Sequence, residues 1–476
     1  MRSEEWLVCS TLGRNAPRIV EMCLTREGRQ LKLMPWGGAA ARIDSRSAHA
    51  DASSPDAPAT TKRTLTGQAF CFLPLPAETG LPVHSNGYFE LSANRRDIWY
   101  GTDMVGDGKL RSDWNCALIE DVIAPSYKRL LLEVKQELLS SGRFYELWPQ
   151  QRPAEPWGRL VDTLYRSILE QPLLHTAARG GEWVSPMQAV FSAPTAEGDA
   201  AAGAMHGALL RSGMPLVHVP ASVVSLLQSA ARSAGVALQT ADAPTVRKWL
   251  LGAEARQSGL SREEGLALLA HCLSDMIDGS VDVGVLHGLR LLPLASGSFG
   301  ELQLADAPSL LLCEASERKL FCHQPALLVA VDLDGPLGQL LGRVAASGRT
   351  NVSRFSAALV ARLLPAMLPS GWRGAEVVAL RAVSATAPVA DGTLGAAVEE
   401  WPPADGDGEP TMEWLLALWE YLGHSHAQAP LAPLAGWPLL PADGDVAYAI
   451  PKGGLQASRM LDLEGCPADL SRCTGA

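Results

Sequence analysis

The chain has 476 residues and a formal net charge of -11, and 19% of its residues are charged. This charge argues against a protein whose surface binds nucleic acid or anionic membrane, although it is compatible with a local basic patch. No apolar run reaches the ~18 residues that a membrane-spanning helix needs, and the length is that of about three domains.

Short apolar runs between turn residues predict β-strands in the first part of the chain. The candidates are residues 6–10, 18–25, 30–34, 68–73 and 88–92. Residues 45–63 are rich in Ala, Ser, Pro and Asp, which favours a flexible insert. We therefore expect an α/β domain over residues 1–145. Because a strand pattern starts at Trp6 with no secretory leader before it, we expect the chain to be a piece of a longer protein.

The pattern becomes helical at Ser112, which is a suitable N-cap residue. Trp114, Leu118 and Val122 recur every four residues and predict one buried helix face. Pro125 is expected to break or kink this run, and a second helix follows to about residue 140. Further helices are predicted over residues 157–170, 222–233, 243–251, 262–277, 355–368 and 412–422.

These patterns predict an α+β protein in which the α/β domain is followed by a mostly helical region with small sheets. We place that region at residues 146–400 and a C-terminal helix and strand segment at 401–476. Residues 289–302 and 437–450 share an outline of apolar residues, Leu-Pro and a Gly-containing turn. The outline has two interpretations, a weak internal repeat or two unrelated strand-to-turn corners.

The nine cysteines are widely spaced and include no C-x-x-C pair. This spacing is typical of buried free thiols in a reducing compartment and predicts no metal site, so we expect a cytoplasmic protein. Residues 103–110 resemble a phosphate loop only in Gly108-Lys109, since Asp103 and Leu110 occupy the positions of the first Gly and the Ser/Thr. No EF-hand or nucleophile elbow is found either. We therefore expect no enzyme activity and no cofactor in this chain.

The segment that carries the densest polar pattern is Asn94-Arg95-Arg96-Asp97. A planar guanidinium matches phosphate oxygens, and phosphoryl-transfer enzymes often take such an Arg from a second domain. We predict a phosphate-sensing or docking loop. Its candidate residues are Asn94, Arg95, Arg96, Lys109 and Arg111, with support from Asn86, Gly87, Asp97, Trp99, Asp107 and Trp114. The alternative is a structural corner in which one Arg pairs with Asp97 and Asp103 while the other stacks on Trp99 or Tyr100.

Residues 67–131 closely resemble the repeat module of the sacsin-like proteins, including those of plants and algae. The motifs are F-C-F-L-P-L-P, N-G-Y-F-E-L-S-A-N-R-R-D-I-W and G-D-G-K-L-R-S-D-W-N. The resemblance implies a module that begins with an ATPase-type fold shared with the ninety-kilodalton heat-shock chaperones and histidine kinases (the GHKL class). Residues 67–131 would lie in the second, α/β domain of that module, where a loop supplies an Arg to the γ-phosphate. Arg95 and Arg96 are equally good candidates for that Arg.

The chain lacks the motifs of the nucleotide-binding fold, which are an acid-then-Asn helix, a D-x-G-x-G turn and a Gly-rich lid. The resemblance therefore implies one module of a chaperone or co-chaperone without its own nucleotide pocket, with ATP and Mg²⁺ bound only by a longer module. Its partners would be other proteins, either chaperones or clients, and not nucleic acid or membranes. The alternative is a non-catalytic protein-binding scaffold of the same fold.

Overall fold

A computed structural model describes residues 4–43, 65–139, 142–192, 199–276, 282–321, 323–380, 410–424, 432–442 and 446–450. Helices and small sheets alternate along these ranges, which confirms the α+β class. The helices are α1 (Pro17–Leu24), α2 (Arg26–Gln30), α3 (Gly106–Leu118), α4 (Ala124–Leu139), α5 (Trp157–Ile168), α6 (Ala200–Arg211), α7 (Ala221–Ser233), α8 (Ala243–Leu251), α9 (Arg262–Cys272), α10 (Ala315–Arg318), α11 (Pro336–Ala346), α12 (Ala357–Met367) and α13 (Met412–His424).

The strands form six sheets within these ranges. They are β1 (Trp6–Leu12), β2 (Trp36–Arg42), β3 (Gln68–Cys71), β4 (Leu73–Glu78), β5 (His84–Gly87), β6 (Leu174–Thr176), β7 (Glu182–Val184), β8 (Val190–Phe191), β9 (Leu216–Val217), β10 (Gln239–Thr240), β11 (Leu289–Pro293), β12 (Phe299–Leu302), β13 (Leu310–Leu312), β14 (Leu328–Val329), β15 (Val352–Arg354), β16 (Val377–Ala379), β17 (Pro438–Ala442) and β18 (Val446–Ala449).

The chain divides into two compact units. The first comprises Met1–Asp199 and His206–Thr245, and the second comprises Ala200–Met205 and Val246–Ala476. The first unit continues past residue 145, where the sequence placed a domain end, because Trp148 and Trp157 belong to the same core as the preceding strands. The predicted insert at residues 45–63 and the predicted boundary at 400 lie outside the described residues.

The first unit is built on a five-stranded sheet with the order β1-β2-β5-β3-β4. All its neighbouring strands are antiparallel except β3 and β5. Small residues on β2 let the α3–α4 region lie close to the sheet. A Cβ atom on Gly37 would stand 2.8 Å from Ile123 Cγ1 and 3.4 Å from Val122 Cγ1. Close packing of this kind excludes a larger side chain at that position.

Two strand predictions in this unit are wrong. Residues 18–25 form α1, which begins with Pro17 in its first turn and buries Ile19. Proline fits a helix start because its missing N–H has no intrahelical partner there. Residues 30–34 form a turn after α2, with Lys32 in the left-handed region at φ 56°. The true strand is β2, whose Gly- and Ala-rich sequence has low intrinsic β-propensity and therefore gave no signal.

The strand predicted over residues 88–92 is also wrong. The strand in this region is β5, which ends at Gly87. Residues 88–92 contribute an isolated bridge between Leu91 and Ile98. The strands predicted at residues 6–10 and 68–73 are present as β1 and as β3 with the start of β4. Between β3 and β4, Phe72 adopts a left-handed φ of 61°, and the pairing register of these two strands shifts between Gln68 and Phe70.

The helix predicted from Ser112 begins earlier, at Gly106. Trp114, Leu118 and Val122 are fully buried, so the predicted helix face is confirmed. Pro125 does not end the run, because a π-helical turn over Ile119–Ile123 joins α3 to α4. Proline has no main-chain N–H, so one carbonyl of the preceding turn lacks its usual helical donor. The wider π-helical turn accommodates that carbonyl.

The later predicted helices are all present, with ends that differ by a few residues. The prediction over 262–277 ends at Cys272 because a 3-10 turn, Ser274–Met276, follows α9. The short helices α2 and α10 and the longer helices α6 and α11 were not predicted. The Ala- and Gly-rich sequence of α6 lacks a strongly alternating polar face, which is the signal that periodicity depends on, whereas α11 is amphipathic.

Residues 289–302 and 437–450 each form an antiparallel hairpin, and the two hairpins have the same pairing register. Pro293 pairs with Phe299, and Pro441 pairs with Ala447. A glycine with positive φ precedes each hairpin, and its N–H donates to the carbonyl of the last residue of the segment. The Gly288 N–H lies 2.8 Å from the Leu302 carbonyl, and the Gly436 N–H lies 2.7 Å from the Ile450 carbonyl.

The similarity extends to the elements before each hairpin. A three-stranded parallel sheet precedes each one, and in both sheets the strand that comes first in the chain lies in the centre, giving β10-β8-β9 and β14-β13-β15. Side-chain caps then start equivalent helices: Ser261 Oγ accepts from the Glu264 N–H, and Thr411 Oγ1 accepts from the Trp414 N–H. This common order favours the internal-repeat interpretation over unrelated corners.

Candidate functional site

Arg95 and Arg96 lie at the tip of a hairpin-like loop that runs from Glu90 to Trp99. The Trp99 N–H donates to the Glu90 carbonyl at 2.8 Å, and the Ser92 N–H donates to the Asp97 carbonyl at 2.9 Å. Arg95 turns the chain in the left-handed region at φ 56°, which a non-glycine residue adopts rarely. We call residues 90–99 the arginine loop.

Two side chains close the tip of the arginine loop from inside. Asn94 Oδ1 accepts from Ser92 Oγ at 2.7 Å and from the Arg96 N–H at 3.0 Å. Ser92 Oγ also accepts from the Asp97 N–H at 3.2 Å. These are local turns of the kind that Asn and Ser side chains favour. Asp97, which was predicted as a supporting residue, takes part through its main-chain N–H and carbonyl. Asp107 lies in the first turn of α3.

The base of the loop is held by Asn115, a residue that the sequence analysis did not single out. Asn115 is fully buried on α3. Its Oδ1 accepts from the Glu90 N–H at 2.9 Å, and its Nδ2 donates to the carbonyls of Glu90 at 2.7 Å and Trp99 at 2.9 Å. One carboxamide thus fixes both ends of the loop. Its sequence signal was its place at the end of the motif G-D-G-K-L-R-S-D-W-N.

Ser112 makes a second connection between α3 and the segment after the loop. Its Oγ lies 3.2 Å from both the N–H and the carbonyl of Gly101. The residue predicted as an N-cap is therefore a buried helix-interior residue that positions a neighbouring segment. Trp114 lies beneath the site as predicted, and its Nε1 donates to the Tyr88 carbonyl at 2.9 Å. Trp99 is half-buried, with Nε1 at 2.8 Å from Met104 S.

The side chains of Arg95 and Arg96 are exposed. Across the described residues, no ion pair or cation–π contact involves either guanidinium, and the carboxylates of Asp97 and Asp103 are likewise in no ion pair. The pairing and stacking that define the structural-corner alternative are thus not observed there. Both cationic groups remain available to a partner.

The other two predicted basic residues lie on α3 and not on the loop. Lys109 is exposed. Arg111 Nη1 lies 2.6 Å from Glu90 Oε2 in a half-buried ion pair, so the prediction that Arg111 is a docking residue needs correction. This pair adds a charge-assisted bond to the base of the loop. Residues two apart on a helix point to different faces, which separates Lys109 from Arg111.

Asn86 and Gly87 lie on β5, and both have structural roles in the sheet. Asn86 Oδ1 accepts from the Phe72 N–H at 3.4 Å, at the irregular junction of β3 and β4. Gly87 pairs with Gly37, and a Cβ there would stand 3.0 Å from Leu118 Cδ2. Neither residue contacts the arginine loop by any hydrogen bond of the described residues. Their role is to shape the sheet under the site.

A cavity of about 500 Å³ opens beside the arginine loop and is lined by Asp97, Ile98 and Tyr100 from the loop segment. Glu78 and Glu155 contribute two more carboxylates to its wall. A wall with this charge repels phosphate. The two arginines do not line the cavity, so an anion would have to approach the loop from the exposed side of its tip.

In the described part of the chain, no group of His, Cys, Asp or Glu side chains has the arrangement of a metal site. Among the same residues, no helix is long and apolar enough to cross a membrane. The described cysteines, which are Cys9, Cys23, Cys71, Cys116, Cys272 and Cys313, carry free thiols. Burial raises the pKa of the Cys272 thiol to about 12 and that of Cys313 to about 11, which makes both poor nucleophiles.

Comparison with known proteins gives one informative match. The chain is 36% identical to human Sacsin over 133 residues, which is 28% of this chain and 2% of the length of Sacsin. No protein-family model matches the chain, and no solved structure matches it. The chain therefore contains a sacsin-like region.

Proposed function

We propose that this protein is a module of a sacsin-like chaperone or co-chaperone that assists protein folding and has no nucleotide pocket of its own. The observation that carries the proposal is the 36% identity to Sacsin over 133 residues. The exposed arginine loop supports it, since two unpaired guanidinium groups on a rigidly held turn are suited to docking on an anionic group. Its partners would be chaperones or unfolded client proteins in the cytoplasm, and not nucleic acid or membranes.

In a longer module, the docked group would be the γ-phosphate of ATP held by a preceding fold with Mg²⁺. An arginine supplied in this way stabilises charge that develops on the phosphate and changes turnover by roughly 10³-fold or more in related chemistry. The present chain would contribute Arg95 or Arg96 and bind neither ATP nor Mg²⁺ itself. We accordingly propose no enzyme activity for the isolated chain.

Three measurements test this function. The isolated chain should slow the aggregation of a chemically denatured protein without ATP, and titration calorimetry with Mg-ATP should give no saturable heat. Fusion to the ATPase-type fold of a sacsin-like protein should give ATP turnover that falls when Arg95 or Arg96 is changed to Ala. A one-to-one ATP signal at micromolar affinity from the isolated chain would contradict the proposal.

The second candidate is a non-catalytic scaffold that binds folded proteins. The exposed guanidinium groups of Arg95 and Arg96 also suit this alternative, because they could pair with carboxylates on the surface of a folded protein. A scaffold would capture a folded partner and leave the aggregation of a denatured protein unchanged. The aggregation assay therefore separates the two functions.

A further inference from the structure

The strand β1 lies at one end of the five-stranded sheet, and in the described part of the chain β2 is its one pairing partner. An edge strand presents main-chain N–H and C=O groups that another chain can pair with. The direction of these groups follows from the hydrogen bonds at the two ends of the ladder. The Ile43 N–H donates to the Glu5 carbonyl at 2.9 Å, and the Gly13 N–H donates to the Pro35 carbonyl at 2.7 Å.

Antiparallel ladders alternate between bonded and non-bonded residue pairs. The odd-numbered residues of β1 therefore bond to β2, and the N–H and C=O groups of Trp6, Val8 and Ser10 point to the open edge. The other side of β2 agrees, since the Tyr88 N–H donates to the Trp36 carbonyl at 3.1 Å. Within the described ranges, no strand lies on the side of β1 to which these groups point.

The opposite edge of the same sheet is protected and β1 is not. The strand β4 contains Pro74 and Pro76, which cannot donate to an added strand. The seven residues of β1, WLVCSTL, contain no proline and no charged residue. Natural proteins usually protect exposed edges with such residues, so an unprotected apolar edge marks a place where pairing is tolerated or used.

The side chains beside the open edge are apolar and accessible. Val8 is 65% exposed and Leu12 is 40% exposed. Trp6 stacks on His84 with ring centroids 5.1 Å apart, which fixes its ring on the outer face of the sheet. Burial lowers the pKa of His84 and keeps that ring neutral at neutral pH. The edge therefore offers main-chain hydrogen bonds together with an uncharged apolar surface.

We propose that β1 binds an extended, uncharged segment of another polypeptide, which adds to the sheet as a sixth strand. The main-chain groups would supply affinity, and Trp6, Val8 and Leu12 would contact alternate side chains of the added segment. A charged segment is disfavoured because β1 has no side chain to pair with it. The inference rests on the proposed protein-binding function and assigns it a site and a substrate class.

A second copy of this chain fits the edge less well. Antiparallel pairing centred on Cys9 would place Trp6 opposite Leu12 of the second copy and would use at most the seven residues of β1. A stable dimer usually buries roughly 1,200 Å² or more, which a single seven-residue strand pair does not approach. An unfolded client needs no such area, because weak and reversible binding suits it.

The test uses the full chain and a fluorescent, uncharged peptide of about nine residues that alternates Val and Thr, a length that spans one strand. A second peptide carries N-methyl groups on alternate amides and so lacks half of the donors. We expect the first peptide to bind and the second to bind at least about tenfold more weakly. Hydrogen exchange at Val8 and Ser10 should slow when the first peptide is present.

The matched variants are Val8→Pro and Val8→Thr. Val8→Pro removes an edge donor while the bonds to β2 remain, and we expect about tenfold weaker peptide binding. Val8→Thr keeps the donor and the shape, so binding should change by less than about threefold. If Val8→Pro does not fold, the two peptides test the same bonds on the unchanged protein.

Equal binding of both peptides, or no binding of either, would overturn the proposal. So would a concentration-dependent dimer that Val8→Pro dissolves, if no peptide binds, since the edge would then be a self-association surface. A Val8→Pro protein that still prevents aggregation as well as the unchanged chain would refute this site and leave the proposed function intact.

Discussion

Asn115 binds Glu90 through both of its main-chain groups, at 2.9 Å to the N–H and 2.7 Å to the carbonyl. The same side chain donates to the Trp99 carbonyl at 2.9 Å. Asn115 is fully buried, whereas Glu90 and Trp99 are partly exposed. The position of Arg95 and Arg96 thus depends on a residue about 20 positions away in sequence, on the helix that supports the loop.

Changing Asn115 to Ala should destabilise the first unit by about 1–3 kcal/mol, because it removes the side-chain partner of the Glu90 N–H and of the Trp99 carbonyl, while the Glu90 carbonyl keeps its bond from the Trp99 N–H. Urea unfolding followed by circular dichroism measures this change. The control is Asn94→Ala at the exposed tip of the same loop, which should cost less than about 1 kcal/mol. Similar losses for both variants would show that Asn115 does not hold the loop in the way its hydrogen bonds indicate.

Changing Arg95 or Arg96 to Ala should alter the free energy of unfolding by less than about 0.5 kcal/mol, since both side chains are exposed and neither forms an ion pair among the described residues. Arg111→Ala is the comparison. It breaks the pair with Glu90 at 2.6 Å and should cost more. A marked loss of melting temperature in Arg95→Ala or Arg96→Ala would favour the structural-corner alternative over docking.

Stability should fall as the pH decreases below about 6.5, in part through His84. Burial lowers the pKa of His84 in the folded chain, and its Nδ1 accepts from the Gln68 N–H at 3.0 Å. Above the unfolded pKa the ring is neutral in both states, so the contribution is fully present. As the pH falls toward the folded pKa, the unfolded state gains a proton first and stability is lost.

The variant His84→Asn keeps an acceptor and does not titrate. Its melting temperature should therefore fall less between pH 7 and pH 5 than that of the unchanged chain, an interval that spans the ordinary His pKa of about 6.5. His206→Asn serves as a comparison because burial also lowers the pKa of His206. An identical pH dependence in the His84 variant and the unchanged chain would contradict this assignment.

Gly288 and Gly436 occupy equivalent positions before the two hairpins, with φ values of 91° and 81°. Alanine at either position should cost about 1 kcal/mol or more, because a Cβ atom disfavours this backbone region. Similar losses of melting temperature for the two variants are expected if the hairpins are copies of one unit. Gly203→Ala, within helix α6 where a Cβ meets nothing within 4 Å, should be neutral or stabilising. A large loss in only one of the two hairpin variants would contradict equivalence.

The sequence by itself determined the features that depend on local periodicity. The buried face of Trp114, Leu118 and Val122 and the exposed loop that carries Arg95 and Arg96 follow from spacing and turn residues. The shared outline of residues 289–302 and 437–450 was also visible in the sequence, because the same short-range turn residues occur in both segments. A reader of the chain could locate these elements, since each is specified by residues that are close together along it.

Only the tertiary structure decided the features that depend on distant partners. β2 is a strand because its small residues lie between two strands and under a helix, and not because Gly and Ala favour extended backbone. Asn115 and Ser112 act on segments that precede their helix, so no local pattern indicates their role. Arg111 pairs with Glu90, whereas Arg95 and Arg96 form no ion pair within the described ranges. Which polar groups are used within the fold is set by long-range contacts, and these form only when the sheet and helices pack together.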